Sequence, residues 1–276
     1  MTGPRRRDGR VLELVLFENE AEGARRYLRD GISSFIVDWE ILGKASRQNG
    51  FDTEIRPGTA ADLEGIAALP GARAWCRINH YGAHTAREIE TALAGGARVI
   101  LLPMATSLGE VEAFIDLVDG RCETGILIET VQAHALAARL KALPFDYAFF
   151  GLNDFAISRG DACIFNALVD GSVEAARNAL PDVRFGVGGL TAIERGHPIP
   201  AARLLEEMDR LGCEFAFLRR SFRRDALKIA PAEIVDSIHR YWEQCGQRDP
   251  AARMRGHREL VERVQQIATP KSATQP

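Results

Sequence analysis

The sequence predicts a (β/α)8 barrel, the TIM-barrel fold, with a C-terminal helical extension. Three observations favour this fold: eight short apolar runs recur along the chain, segments with helical periodicity separate them, and the runs are apolar almost throughout. Runs without polar alternation are typical of parallel strands that are covered on both faces. Eight such units in about 220 residues favour a closed barrel over an open doubly wound sheet.

The eight apolar runs are the predicted strands of the barrel. In chain order they span residues 11–17, 32–38, 72–79, 97–103, 124–130, 147–151, 183–189 and 214–220. Between them lie segments with helical spacing, such as "SLGEVEAFIDLVDG" and "TVQAHALAARLKAL", and several of these end in Gly or Pro, where helices stop. We therefore expect a barrel domain over residues 1–241.

The C-terminal part of the chain differs from the barrel in composition. Apolar residues become sparse from Trp242 onward, and "RDPAARMRGHRELVERVQQIATPKSATQP" predicts one further helix followed by a polar tail. We expect residues 242–276 to form this extension. An alternative is that the segment packs on a neighbouring subunit.

The overall composition limits the class of protein. The chain has 276 residues, 46% hydrophobic content and a net charge of −3, which is typical of a globular protein with a large core. It has no stretch near the roughly 18 apolar residues of a membrane span, so we expect neither an anchor nor a signal peptide. Five scattered cysteines without metal spacing suggest reduced thiols in the cytoplasm. The balance of 35 basic and 38 acidic residues does not favour nucleic-acid binding.

Candidate site residues, most of them polar, stand at or just beyond the C-terminal ends of the predicted strands, where the active sites of TIM barrels form. They are Glu18, Asn19, Asp38, Glu40, Arg77, Asn79, Met104, Glu129, Asn153, Asp154, Gly188, Gly189, Arg219 and Arg220.

Two carboxylates in this set follow consecutive strands. Glu129 and Asp154 are therefore expected to approach each other at the barrel mouth, because neighbouring strands lie only about 4.8 Å apart. A bound Mg²⁺ or Mn²⁺ would account for two like charges so placed, since these cations take one or two protein carboxylates. The alternative is that Glu129 forms a surface ion pair and Asp154 caps a helix.

Several of these segments resemble one known family. "CRIN" at 76–79, "ILLPMATSLGEVEAF" at 100–114, "GILIET" at 125–130 and "GLNDFA" at 151–156 are similar to successive motifs of the HpcH/HpaI aldolase and citrate lyase β-subunit family. "IVDWE" at 36–40 resembles the acidic strand-two motif on the citrate lyase side. The resemblance covers about residues 11–225 in order, and the ordered set is more specific than any one motif.

The resemblance implies a (β/α)8 barrel assembled as a homotrimer or homohexamer. It implies a carbon-carbon lyase or aldolase that acts on a 2-oxo acid or acyl-CoA through an enolate, with Mg²⁺ or Mn²⁺ held by Glu129 and Asp154. It also implies that Arg77 contacts the substrate carboxylate or the enolate oxygen. In the thioester branch, basic residues bind the phosphates of coenzyme A, and Lys44 and Arg47 would do so here; the alternative is that both are ordinary helix-surface charges.

One position departs from the family pattern. The pyruvate-dependent aldolases carry a His after the strand-two Glu, and the citrate lyase side carries an Asp, whereas this chain has Ile41. The expected base is therefore missing. Candidate replacements are His80 or His84, or the carboxylates Asp38 and Glu40, and the two histidines are more simply explained as loop residues.

The last two predicted strands suggest where the substrate binds. Gly188 and Gly189 follow strand seven, and Arg219 follows strand eight, where TIM barrels frequently bind phosphate. One interpretation of the "RRSFRR" cluster at 219–224 is an anionic or phosphorylated substrate; salt bridges at a subunit interface are the other. The insertion "ERGHPIP" could form a lid, although His197 within it is more simply a turn residue.

Two other functions stay open at this stage. One is a barrel that has lost the family's base and binds an anionic ligand without turnover, which the residue at position 41 favours. The other is a phosphoenolpyruvate-type enzyme, which the absence of a "KxCGH" motif disfavours.

Overall fold

A computed structural model describes residues 12–42 and 56–268 of the chain. Lys44 and Arg47, the predicted coenzyme A contacts, lie outside the described residues, as does the predicted polar tail beyond residue 268. Within the described part of the chain, no helix has the length and apolar character needed to cross a membrane.

Eight parallel strands form a closed barrel in the order β1 to β8, and β8 pairs with β1. Each of the eight predicted apolar runs coincides with one strand, although the fifth strand begins one residue before its run and the seventh ends one residue after it, and this confirms the predicted fold. The strands are β1 Glu13–Phe17, β2 Ser34–Asp38, β3 Arg73–Arg77, β4 Val99–Leu102, β5 Glu123–Ile128, β6 Tyr147–Phe150, β7 Arg184–Leu190 and β8 Phe215–Leu218.

Helices follow the strands and cover the outside of the barrel. In chain order the described helices are α1 Ala21–Arg29, α2 Ala60–Ala67, α3 Thr85–Ala94, α4 Leu108–Val118, α5 Val131–Leu140, α6 Leu152–Arg159, α7 Asn166–Val169, α8 Ser172–Ala179, α9 Ala201–Arg210, α10 Arg220–Asp225, α11 Pro231–Gly246 and α12 Pro250–Ala268. Helix α4 begins with a capping box, in which Ser107 and Glu110 each accept from the other's backbone N–H.

The barrel interior is filled by large side chains that lie against glycines. Trp75, Tyr147 and Phe215 pack together, with ring centroids 4.6 to 5.9 Å apart. A Cβ at Gly125 would stand 3.1 Å from the Cβ of Tyr147, and a Cβ at Gly186 would stand 2.8 Å from the Phe215 ring. The glycines on β5 and β7 therefore make the space that the aromatic rings on neighbouring strands fill.

The alternation of side chains along the strands determines which residues point inward at the barrel mouth. Ile36, Trp75, Leu127 and Phe217 belong to the interior cluster. Successive side chains of a strand point to opposite faces, so the residue two positions further on also points inward. Those residues are Asp38, Arg77, Glu129 and Arg219. The strands thus place four charged side chains around the axis at their C-terminal ends.

The described chain ends in two long helices, of which α11 begins inside the predicted barrel domain and α12 is the one further helix expected within residues 242–276. Helices α11 and α12 both pack against α9, and α12 also contacts α7. Trp242, the first residue of the predicted extension, is buried within α11 rather than at its start. The extension covers the outside of the barrel wall next to β7 and leaves the mouth uncovered by these two helices.

Candidate active site

A cavity of about 1130 Å³ opens at the C-terminal ends of the strands. Its floor is aromatic: Phe149 and Phe217 are stacked with centroids 3.8 Å apart, and Phe17 meets Phe217 edge-on at 5.3 Å. Eight of the fourteen candidates at the strand ends line it, namely Arg77, Glu129, Asn153, Asp154, Gly188, Gly189, Arg219 and Arg220. The structure therefore brings most of the predicted set into one space.

Glu129 stands directly after β5 and is 3% exposed. Its Oε1 accepts a hydrogen bond of 3.0 Å from the backbone N–H of Met104, which adopts a left-handed φ of 55° after β4. A Cβ at Gly151 would lie 2.7 Å from Oε2 of Glu129. The carboxylate is thus held by a specific backbone turn on one side and needs a glycine on the other.

The electrostatic environment of Glu129 is unusual for a carboxylate. Its pKa is raised from 4.5 to about 8; burial is the largest cause, the nearby carboxylates of Asp154 and Glu40 add to it, and Arg77 acts in the opposite direction. The protonated form of Glu129 is therefore the favoured one at neutral pH until a cation reaches the site.

Asp154 lies in the first turn of α6 and lines the same cavity. Its Oδ1 is buried and has no hydrogen-bond partner among the described residues. Most buried polar atoms in proteins have a partner, because an unsatisfied one costs about 1–3 kcal/mol. An orphaned carboxylate oxygen beside a second carboxylate is the arrangement that a hard divalent cation fits.

The cavity offers few side chains that could bind a metal ion. Among the described residues, no group of three or more His, Cys, Asp or Glu side chains is arranged to hold a metal. Two carboxylates with open cavity beside them still fit Mg²⁺ or Mn²⁺, since Mg²⁺ usually keeps several waters and binds through one or two carboxylates. The pair fits a zinc site poorly, because such sites use His and Cys ligands.

Arg77 is fixed by two carboxylates that follow β2. Its Nε and Nη2 donate to Oδ1 and Oδ2 of Asp38 at 2.9 and 2.7 Å, and its Nη1 lies 3.2 Å from Oε2 of Glu40. Burial alone lowers the pKa of Arg77, but Asp38 and Glu40 outweigh it and raise the pKa above its ordinary value. The guanidinium is therefore a permanent, immobile cation in the cavity wall.

The segment after β2 is tied down by Asn79. The side-chain oxygen of Asn79 accepts from the backbone N–H groups of Ile41 and Leu42, both at 2.9 Å, and its Nδ2 donates to Glu88 on α3 at 2.6 Å. The Ile41 side chain is 53% exposed. Position 41, where the family pattern has its base, therefore carries a largely exposed apolar side chain in this chain.

Arg219 and the glycines of β7 form the opposite part of the wall. Arg219 donates from Nε to the carbonyl oxygen of Gly189 at 2.9 Å. A Cβ at Gly189 would stand 3.1 Å from the Cβ of Arg219, so the glycine lets the arginine lie flat against the strand. Gly188 has a φ of +66°, which a glycine adopts without strain.

Other predicted candidates have structural partners or lie elsewhere. Glu18 accepts from the backbone N–H of Glu20 at 2.9 Å and from Arg223 at 3.0 Å, so it fixes the start of α1. His84 makes a hydrogen bond of 2.8 Å to the carbonyl oxygen of His80, and neither residue lines the cavity. His197 does line it.

Sequence reasoning did not single out three features of the site. Phe17 forms part of the floor, Gly151 leaves room for Glu129, and Ser221 lines the cavity with a buried Oγ that lacks a hydrogen-bond partner within the described ranges. The two-residue period from Val15 on β1 would have found Phe17. The other two depend on contacts between segments distant in sequence.

The sequence matches no protein-family model and no curated protein. The structure resembles that of an HpcH/HpaI aldolase/citrate lyase family protein from Burkholderia cenocepacia J2315, with a TM-score of 0.61 and 15% identity over 83% of this chain and 96% of that one. It also resembles 3-hexulose-6-phosphate synthase from Salmonella typhimurium, with a TM-score of 0.58 and 14% identity over 85% and 100% of the two chains.

A third similar structure is KGPDC from Streptococcus mutans, with a TM-score of 0.52 and 12% identity over 84% of this chain and 99% of that one. At 12% to 15% identity these likenesses show the fold alone. The chain spans nearly the whole of each barrel, and it is a TIM-barrel protein.

Proposed function

We propose that this protein is a divalent-metal-dependent carbon-carbon lyase that acts through an enolate. The observation that carries the proposal is the pair of Glu129 and Asp154. One carboxylate has a pKa raised to about 8, and the other has a buried oxygen without a hydrogen-bond partner among the described residues. Perturbed, unsatisfied carboxylates in a cavity at a barrel mouth are characteristic of functional sites rather than of structural ion pairs.

The metal would be Mg²⁺ or Mn²⁺, held by Glu129 and Asp154. When bound, it would supply a Lewis acid that stabilises negative charge on a substrate oxygen. Arg77 would supply the second positive charge. Its guanidinium cannot lose its proton at any working pH, and it is already oriented, so it needs no rearrangement as charge develops on the enolate oxygen.

Asp38 and Glu40 are proposed to act in catalysis by positioning Arg77. Both carboxylates lie against the guanidinium, and Asp38 does so in the bidentate geometry that fixes the plane of an arginine. The backbone N–H of Glu40 donates to Oδ1 of Asp38 at 3.1 Å, which links the two acids. This arrangement fixes the orientation of Arg77, which lines the cavity.

The proposed substrate is a 2-oxo acid or an acyl-CoA thioester. The ordered motifs that resemble the HpcH/HpaI and citrate lyase family support this class, and so does the likeness to a barrel of that family at 15% identity. A homotrimeric or homohexameric assembly and a cytoplasmic location belong to the same proposal.

The test is a calorimetric titration of the metal-stripped protein with oxalate, with and without Mg²⁺ or Mn²⁺. Oxalate imitates the planar enolate of pyruvate. We expect oxalate to bind only when metal is present and the Asp154→Asn variant to weaken this binding at least 100-fold, in line with the loss of a ligand from a site with two carboxylates. Asp182→Asn, which changes an exposed carboxyl group, is the matched control and should bind as the wild type does. Metal-independent oxalate binding, or equal binding by both variants, would contradict the proposal.

The second candidate is a barrel that binds an anionic ligand without turnover. The exposed side chain at Ile41 favours it, because no base stands where the family pattern has one. Deuterium exchange into pyruvate separates the two: metal-dependent exchange that Glu129→Gln abolishes supports the lyase. Tight oxalate binding without exchange into any 2-oxo acid or thioester supports the binding protein.

A further inference from the structure

Arg219 differs from the other arginines of the site in how its charge is neutralised. Arg77 has two carboxylates within 3.2 Å, and Arg223 has Glu18 at 3.0 Å. Arg219 is half-buried in the cavity wall, and within the described ranges its hydrogen bond is to a neutral carbonyl oxygen. A buried cation normally has a counter-charge, because an uncompensated one is costly.

The electrostatics of Arg219 agree with this geometry. Burial lowers its pKa below the ordinary value, and Asp225 offsets this effect only in part. The Asp225 carboxylate accepts a hydrogen bond from the hydroxyl of Thr191, and among the described contacts it forms no ion pair with Arg219. Arg219 thus lines the cavity and forms no ion pair with a carboxylate of the described residues.

The neighbours of Arg219 in the cavity wall are also hydrogen-bond donors or cations. Ser221, two residues along, lines the cavity with a buried Oγ that has no hydrogen-bond partner in the described chain. Arg224 and Lys228 line the same side and are exposed. The wall after β8 therefore combines a half-buried guanidinium, an unsatisfied hydroxyl and two exposed cations.

The acidic and basic parts of the cavity lie on different strands. Glu129 and Asp154 follow β5 and β6, whereas Arg219 follows β8, and β7 separates the two groups in the barrel order. A cavity of about 1130 Å³ holds a molecule large enough to reach both. One end of such a ligand would lie at the carboxylates and the other at the guanidinium.

We propose that Arg219 and Ser221 form a subsite for a phosphate group, so that the substrate is a phosphorylated compound with its reacting end at Glu129 and Asp154. The position of the reacting end rests on the proposed function, whereas the phosphate subsite does not. A phosphate monoester fits this wall better than a carboxylate does. It carries close to two negative charges and three acceptor oxygens, which match three cations and a hydroxyl donor.

The experiment titrates metal-free protein with inorganic phosphate, followed by calorimetry and by ³¹P line broadening. We expect Arg219→Gln to weaken phosphate binding at least tenfold and Ser221→Ala to weaken it by a smaller factor. Arg258→Gln, which removes an exposed arginine on α12, is the matched control and should leave the affinity unchanged. Binding that is equal in Arg219→Gln and wild type would overturn the subsite, and so would the absence of phosphate binding to the wild type.

A second ligand and two replacement variants complete the experiment. Malonate is titrated in parallel, and a higher affinity for malonate than for phosphate at Arg219 would overturn the assignment to phosphate. If circular dichroism shows that Arg219→Gln does not fold, Arg219→Lys and Ser221→Ala are used instead. Each of these variants has a side chain of similar size and removes one phosphate contact.

The same titration separates this inference from the proposed function. Asp154→Asn should abolish metal-dependent oxalate binding and leave metal-free phosphate binding intact. Phosphate binding that depends on Arg219 without any metal-dependent oxalate binding would leave the subsite standing and remove the lyase. The reverse pattern would keep the lyase and remove the subsite.

Discussion

Single residues at the barrel mouth are held in states that cost stability. Glu129 is a buried carboxyl group whose pKa is raised to about 8 by burial and by Asp154 and Glu40. Met104 adopts a left-handed backbone to donate to it, and Gly151 has no side chain to collide with it. Such arrangements persist where the surrounding structure enforces them, and they are typical of functional sites.

The shifted pKa of Glu129 predicts a pH-dependent stability of the metal-free protein. The folded-state pKa of about 8 lies above the ordinary value of 4.5, so the stabilising form is the protonated one. Its contribution is complete below about pH 4.5 and is lost as the pH rises through 8. We expect a loss on the order of 3 kcal/mol between about pH 5 and pH 8, measured by urea unfolding in the presence of a chelator.

Glu129→Gln tests this prediction, because the amide keeps an acceptor for the Met104 N–H and cannot ionise. Its stability should change less with pH than that of the wild type, so the variant is the more stable of the two at pH 8. Glu262→Gln on α12, which alters an exposed carboxyl group, should follow the wild type. Parallel pH profiles for wild type and Glu129→Gln would show that the carboxyl group is not desolvated.

The sequence predicted which residues form the site better than it predicted the contacts between them. Arg77, Glu129 and Asp154 could be found because each follows a strand that is recognisable by its apolar run. That Asp38 would hold Arg77 through two hydrogen bonds depends on the distance between the ends of β2 and β3, which no local pattern encodes. The buried Oγ of Ser221 could not be predicted either, because its burial depends on contacts between segments that are distant in sequence.

At the scale of elements, the alternation of strands and helices was predictable because each element carries its own period. The apolar runs gave all eight strands, and the first-turn motif of Ser107 and Glu110 marks a helix start in the sequence itself. The extension was harder to place. Trp242 is buried inside α11, and the polar sequence of α12 is held by ion pairs rather than by a wide apolar face.

Helix α12 docks on α9 through charged groups that are largely removed from water. Arg253 lies 3.1 Å from Asp209, whose side chain is fully buried, and His257 lies 3.1 Å from Glu207. Arg253→Ala should destabilise the protein by about 2 kcal/mol in urea unfolding, because it leaves a buried carboxylate without this cation. The value is below that for a fully buried pair, since Arg253 is itself partly exposed.

The double variant Asp209→Asn with Arg253→Ala should recover part of that loss, because the buried negative charge that Arg253 balances is then absent. Arg258→Ala, on the same helix and exposed, should change the stability by less than about 0.5 kcal/mol. Additive losses in the double variant would mean that the two side chains do not interact across the α9–α12 contact.

In the whole molecule, the two ends of the barrel have different roles. The C-terminal end carries the cavity, whereas the N-terminal end is closed by a ring of charges from the first residues of the odd strands, Glu13, Arg73, Glu123 and Arg184. The two acids alternate with the two arginines around the ring. Arg73 contacts Glu13 and Glu123, and Arg184 contacts Glu123 from the other side.

This ring lies on the aromatic layer of the interior. The Arg184 guanidinium is 3.8 Å from the centre of the Tyr147 ring, and that of Arg73 is 5.5 Å from the rings of Trp75 and Tyr147. Cations over aromatic faces are favourable, so the ring closes the barrel without an apolar plug. Because TIM-barrel chemistry occurs at the opposite end, we infer that this ring serves stability and not catalysis.

Glu123→Gln tests that division of roles. Removing the acid leaves Arg73 and Arg184 facing each other, and we expect a loss of about 1 kcal/mol in urea unfolding at about 0.01 M salt, a modest value because Glu123 is more than a third exposed. The loss should shrink at about 1 M salt, where charges are screened within roughly 3 Å. Glu112→Gln, exposed on α4, is the control of equal charge.

Phosphate and oxalate binding at the mouth should be unchanged in Glu123→Gln. Weakened binding there, with stability intact, would mean that the N-terminal ring acts on the cavity across the length of the barrel, and the separation of stability from function in this molecule would not hold.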